Sequence, residues 1–200
     1  IADALAVSIA VSSELGIEDE SVLVASTGII GHRLPVKKIT SGVKRLVAGL
    51  HPGGIPDAEA GIMTTDRFPK IASRKGQIGG REITLCGIAK GAGMIQPNMA
   101  TMLAFVMTDA AIERNTLDGT FRNAISGSFN AISVDGCMST NDSAIILANG
   151  LAGNPEIRKG SRYLKPFTAM LRDLLLELSL SLVRDGEGAT KVMEINVTQA

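Results

Sequence analysis

Apolar positions along this chain fall into two periods. From Phe167 onward, Met170, Leu171, Leu174, Leu175, Leu178 and Leu182 recur at helical spacing, and the pattern stops at Asp185-Gly186. Val36, Ile39, Val43, Leu46, Val47 and Leu50 make a second amphipathic helix, with Pro35 at its first turn and Lys37, Lys38 and Lys44 among its polar positions. The opening residues read as a helix that stops at Gly16, a residue suited to a left-handed C-cap. Residues 123–130 are a further helical stretch. Shorter apolar runs predict strands over residues 21–25, 82–86 and 143–148, in the segment after Thr101, and in the last residues from Val192. The loops are residues 26–28, 51–56 and the run from Lys90 to Ala100, which the strand over 82–86 reaches through Gly87, each rich in Gly, Pro or small polar residues. Helices interleaved with short strands predict a layered α/β fold whose strand order the sequence leaves open.

Composition narrows this picture. The hydrophobic content of 45% allows a substantial core, and aromatics at only 3% make that core aliphatic. The 20 basic and 20 acidic residues cancel, so charge favours neither nucleic acid nor an anionic membrane as a partner. No apolar run approaches the roughly 20 residues of a membrane helix. Two cysteines, Cys86 and Cys137, form no disulfide framework and favour a reduced, cytoplasmic setting. His32 and His51 stand far from both cysteines in sequence, so no zinc-type spacing exists and no metal is expected. The chain does not begin with Met and ends on a strand pattern, which reads as a piece of a longer protein.

The chemistry concentrates where the glycine-rich loop from Gly91 passes Pro97 and meets the apolar segment at Ala100–Thr101. A threonine opening a strand is ordinarily structural, because Thr favours strands. The alternative is a nucleophile. If the Ala100–Thr101 bond is cut, by attack of the Thr101 hydroxyl on the Ala100 carbonyl, Thr101 acquires an α-amine. Such an amine titrates at about 7.7–8.0 and can serve as the base for its own hydroxyl. Acyl chemistry also needs hydrogen-bond donors for an oxyanion. Thr27 and Gly28 follow a predicted strand and offer a hydroxyl and an accessible backbone, although the same residues also suit an ordinary turn. Lys90 lies in the wrong order for a phosphate loop. It is either a solvated surface charge or a cation for a substrate carboxylate beside the nucleophile. Glu187, between two glycines, suits a cationic ligand group or a solvated turn. Residues 134–142 are dense in polar side chains of the kind that bond to nearby backbone.

Seven blocks carry a resemblance: residues 26–31, 62–66, 87–95, 97–103, 128–130, 134–142 and 184–191. In this order they resemble the glutamate/ornithine N-acetyltransferases of arginine biosynthesis over nearly the whole chain. The resemblance implies an αββα sandwich, distinct from the usual N-terminal-nucleophile fold. It implies an enzyme that cleaves itself before Thr101, so that residues 1–100 belong to an α chain and 101–200 to a β chain. Thr101 then carries an acetyl group from N-acetylornithine to glutamate, and acetyl-CoA is a possible second donor; no bound cofactor is implied. Thr27 and Gly28 match the family's oxyanion pair, and Thr64, Lys90, Thr101 and Glu187 its substrate-contacting positions. The partners implied are these small molecules and the α and β chains with each other, in a heterotetramer or larger assembly.

Two departures stand out. Arg67 replaces a common Thr, and Cys137 a common Asp, without removing a catalytic group. The rival readings are an aminopeptidase or amidohydrolase on the same scaffold, which the family resemblance associates with Ser at the cut, and a non-catalytic αβ fragment.

Overall fold

The computed structural model of the chain describes residues 1–29, 31–95, 102–137 and 141–198. The chain divides into two units, Ile1–Ile55 and Pro56–Ala200.

In the first unit, helix α1 (Ala2–Leu15) packs on α2 (Val36–Ala48). Gly16 ends α1 in the left-handed conformation at φ 68°, and its amide returns to the Ser12 carbonyl, as its position in the sequence predicts. Ser8 and Ser12 are buried and donate their hydroxyls to the carbonyls of Leu5 and Ile9, which satisfies those groups inside their own helix. On α2, Val43 is buried, whereas Leu46 and Leu50 at the edge of the predicted stripe are exposed. Residues 21–25 are not a strand. A 3-10 turn at Asp19–Ser21 leads into backbone that pairs with no neighbour among the described residues. A strand belongs to the pair rather than to the segment, so an apolar run alone does not create one.

The second unit is α/β, as expected, around one mixed sheet. Its strands are β1 (Ile71–Ile78), β2 (Arg81–Lys90), β3 (Leu103–Thr108) and β4 (Ser143–Ala148), in that spatial order. The pairs β1–β2 and β2–β3 are antiparallel, while β3–β4 is parallel and takes a crossover through α4 (Arg114–Ser126). Helix α5 (Leu164–Arg184) lies on β1 and β2 and also contacts α4. Its Phe167, Leu171, Leu174, Leu175, Leu178 and Leu182 meet Ile83, Leu85, Ala89, Ala104 and Val106 in an aliphatic core. Gly87 permits the close approach of α5 to β2: a Cβ there would lie 2.9 Å from Leu178 and 3.0 Å from Leu174.

Three elements differ from the sequence pattern. Strand β1 shows no apolar alternation, since Ala72, Arg74, Gly76 and Ile78 occupy its more buried positions. The turn after it is Gly79-Gly80, both at positive φ (60° and 81°), the signature of a tight hairpin. Helix α4 begins at Arg114, well before residue 123, and ends at Ser126 rather than 130; its inward-facing Thr116 and Thr120 leave no apolar stripe over its first half. Helix α3 (Ile55–Ile62) replaces the end of the predicted 51–56 loop. The terminal run from Val192 forms no strand among the described residues and leaves Met193, Ile195 and Val197 exposed.

A buried ionic cluster ties the approach to β1 to the end of α5. Lys70 is fully enclosed, and its ammonium donates to Asp66 Oδ1 (2.7 Å) and Asp185 Oδ2 (2.6 Å). Asp185 caps the C-terminus of α5, where the helix dipole disfavours a carboxylate. Lys70 offsets that, together with the backbone amide and Nε of Arg67 (3.0 and 2.9 Å). The Lys70 amide donates to Glu59 Oε1 on α3 (2.8 Å), and its carbonyl accepts from Ala89 of β2 (3.0 Å). One residue thereby joins α3, β2 and α5. Burial alone would raise the carboxyls of Asp66 and Asp185, but the hydrogen bonds they accept outweigh it and hold both below the usual aspartate range. Burial prevails at Glu59 and raises its carboxyl.

Replacing Lys70 by Met strands two buried carboxylates, and we expect a loss of about 3–5 kcal/mol in urea denaturation. Stability should also depend on acid. The unfolded chain binds protons at Asp66 and Asp185 near the ordinary value of about 3.9, above the folded chain. Their stabilisation is therefore complete above that value and fades as pH falls through the lowered folded values. Glu59 acts oppositely, withdrawing support as pH rises from the ordinary glutamate value through its raised one. Melting temperature should drop on acidification below about pH 4, and Asp185→Asn should make that drop shallower.

Candidate active site

Strand register brings the chemistry to one end of the sheet. Lys90, the last residue of β2, pairs with Leu103, the first of β3, which pairs with Ser143, the first of β4. Just beyond this row lie residues 91–95 after β2, Met102 before β3 and Asp142 before β4.

Lys90 alternates away from Gly87 and Ala89, so its side chain leaves the sheet on the face opposite α5. It is only 3% exposed, and its ammonium donates to the Thr64 hydroxyl at 3.2 Å. No carboxylate among the described residues lies within ion-pair distance of it. Burial pushes this ammonium below the usual lysine range; Asp66 partly restores it, and Lys70 lowers it further. Among the described residues a hydroxyl is its hydrogen-bond partner, Asp66 offsets only part of its desolvation cost, and an anionic ligand group is the natural complement. Thr64 owes its place to Asp66, whose Oδ2 accepts from the Thr64 amide (3.0 Å) while Oδ1 accepts from Gly91 (2.7 Å). The Lys70 cluster thus orients both Thr64 and the first residue after Lys90.

The loop after β2 is held residue by residue. Ala92 accepts a hydrogen bond from the Glu187 amide at 2.6 Å. The exposed Glu187 carboxylate lies over Gly93, where a Cβ would come within 3.2 Å of its Cδ. Met94 adopts a left-handed φ of 53°, and its amide and that of Ile95 both donate to Asp135. Ile95 also accepts from the Val134 amide at 2.7 Å. Three of the sequence-predicted residues, Thr64, Lys90 and Glu187, therefore border one loop.

Ala100 and Thr101 lie outside the described residues. Thr27 and Gly28 belong to the first unit, where Thr27 is half-buried, Gly28 is exposed, and a Cβ on Gly28 would meet open space. The carboxylates at 66, 135, 142 and 185 had no periodic signal; the polar density of residues 134–142 pointed to backbone bonding, but of local rather than distant backbone. For a metal, the described residues bring together only Glu18, Asp19 and Glu20, all exposed on one turn, an arrangement common without an ion. Among the described residues no helix is long and apolar enough to cross a membrane.

A family model described as the ArgJ family matches residues 1–200. The arginine biosynthesis bifunctional protein ArgJ of Geobacter sulfurreducens is 54% identical over 190 residues, covering 95% of this chain and 48% of that protein. Its counterpart in Caldanaerobacter subterraneus is 47% identical over 200 residues, all of this chain and 50% of the relative. A crystal structure of the Bacillus halodurans ArgJ protein shares 39% identity over 44% of this chain and 41% of its own, with a TM-score of 0.42. The chain spans about half the length of the curated relatives it matches. With a family model matched from end to end and close relatives over nearly every residue, the chain belongs to the ArgJ family.

Proposed function

We propose that the full protein is an N-terminal-threonine acetyltransferase of arginine biosynthesis that moves an acetyl group from N-acetylornithine to glutamate, with acetyl-CoA as a second donor. The observation that carries the reading is Lys90: a buried ammonium without a carboxylate partner among the described residues, in strand register with Leu103, two residues after Thr101. Membership of the ArgJ family, whose relatives are named arginine biosynthesis bifunctional proteins, supports the pathway.

In this mechanism the Thr101 hydroxyl first attacks the Ala100 carbonyl, and the peptide nitrogen leaves as the Thr101 α-amine. Water hydrolyses the resulting ester, leaving a carboxylate on Ala100 and restoring the hydroxyl. The amine then takes the hydroxyl proton as the oxygen attacks the acetyl carbonyl of N-acetylornithine. Thr27 and Gly28 donate to the oxyanion, and the proton passes to the departing ornithine nitrogen. Glutamate enters, its amine attacks the acetyl-threonine, and N-acetylglutamate leaves. Donor and acceptor share an α-carboxylate, so one cation, Lys90, serves both half-reactions, with Thr64 at its ammonium. Glu187 takes the side-chain ammonium of ornithine. Strands β2 and β3 lie on opposite sides of the cut and remain paired through the sheet, so the α and β chains stay associated.

Intact mass spectrometry of the full-length protein should give two chains cut before Thr101, and a single uncut chain for Thr101→Ala. A wild-type chain that stays whole and still transfers acetyl groups contradicts the mechanism. Release of free acetate in place of N-acetylglutamate would instead identify the hydrolase of the same scaffold.

Lys90→Met should lower kcat/KM for the carboxylate-bearing substrates by about 10–100-fold, the worth of a hydrogen bond to a charged group. Its melting temperature should be unchanged or higher, because the variant removes a buried charge that has no ion-pair partner among the described residues. Steady-state kinetics beside a thermal melt check both halves.

A further inference from the structure

Resting on the reading that the chain cuts itself before Thr101, we infer that Asp135 and Asp142 are positioning residues that clamp the two flanks of the self-cleaving stretch 96–101 from a single loop. On the upstream flank, Asp135 Oδ2 accepts from the Met94 amide, and Oδ1 accepts from Ile95 (3.1 Å) and from Cys137 in its own loop (3.1 Å). The neighbouring Val134 amide donates to the Ile95 carbonyl at 2.7 Å. On the downstream flank, Asp142 Oδ1 accepts from the Met102 amide at 2.6 Å, and the neighbouring Ser143 amide donates to the Met102 carbonyl at 3.1 Å. Each flank is gripped in the same way, by a carboxylate on an amide and by the adjacent backbone amide on a carbonyl. Both grips come from the connection between α4 and β4.

The chemistry explains why such a clamp matters. Intramolecular attack on a peptide carbonyl needs its hydroxyl and carbonyl carbon held in near-attack geometry, and misplacement by about 1 Å can cost 10²-fold. A stretch of six residues tethered at one end explores many conformations, and fixing both ends removes most of them. Asp142 grips the amide of the residue bonded directly to Thr101, so its hold acts one peptide unit from the nucleophile.

The two carboxylates also differ in a way that a substitution can read. Asp135 uses both oxygens as acceptors, whereas Asp142 uses only Oδ1; its Oδ2 is buried without a hydrogen-bond partner among the described residues. Asparagine at 142 can keep its carbonyl oxygen on Met102 and place its amino group where Oδ2 stands. Asparagine at 135 cannot keep both grips, because its amino group would face the N–H of Met94 or Ile95.

The test follows self-cleavage of the full-length protein over time after cell-free synthesis, by intact mass spectrometry, with a thermal melt of each purified variant. Wild type and Thr101→Ala first establish that the cut occurs before Thr101; an uncut wild type rejects the parent reading rather than the clamp. Given that cut, Asp135→Asn and Asp142→Leu should cleave at least about tenfold slower, and Asp142→Asn within about twofold of wild type. Melting temperatures close to wild type are expected for Asp135→Asn and Asp142→Asn. A merely structural role would order the cleavage rates as the melting temperatures and would not separate Asn at 135 from Asn at 142. Wild-type rates in Asp135→Asn and Asp142→Leu overturn the inference. Should Asp142→Leu fail to fold, Asp135→Asn decides alone, with slow cleavage supporting the clamp and fast cleavage overturning it.

Discussion

The fully buried ammonium of Lys70, set between Asp66 and Asp185, is the interaction on which the second unit is arranged. It lets a carboxylate stand at the C-terminus of α5, where the helix dipole is unfavourable to it, and so fixes the turn that leads to Glu187. Through Asp66 it orients Thr64 and Gly91. Its backbone joins α3 to β2. A buried ion pair contributes little net stability compared with a well-packed apolar alternative, but it tolerates few arrangements, because every charge must keep its partners. In this molecule that demand is placed beside the end of the sheet where the site residues meet.

Two buried lysines stand close by and differ in kind. Lys70 has its carboxylates; Lys90, at the end of β2, has a hydroxyl. The first is satisfied within the fold, while the second has no ion-pair partner among the described residues and suits an anionic ligand group. Distinguishing them requires knowing what each ammonium touches, since the sequence around Lys90 left a solvated charge and a substrate cation both open. The core beneath them is aliphatic and close-fitting, with Gly87 of β2 admitting α5 to a distance that any side chain would forbid.

Much of this was legible beforehand where a local pattern and the tertiary structure agree. The heptad-like leucines of α5, the C-cap at Gly16, the strand at 143–148 and the apolar strand after Thr101 all hold. Strand β1 was not legible, because small and charged residues line the positions that face α5. Residues 21–25 and the run from Val192 carry strand-like patterns but have no pairing partner among the described residues, and pairing is what completes a strand. Of the candidate site, Thr64, Lys90 and Glu187 were named from sequence and are gathered around one loop. The carboxylates that hold that loop were not, since their partners in it lie 25 to 41 residues away.

By itself the sequence determined the α/β class, the aliphatic core, the family blocks and the residue types at the candidate site, because these depend on composition, short-range periodicity and order along the chain. Tertiary structure alone decided which of two lysines is neutralised, which aspartates reach across the fold to another segment's amides, and that Lys90, Leu103 and Ser143 share one row of the sheet. Those are properties of pairs brought together from distant positions. A charge, a strand or a hydrogen-bond acceptor takes its meaning from its partner, and the linear chain does not state the partner.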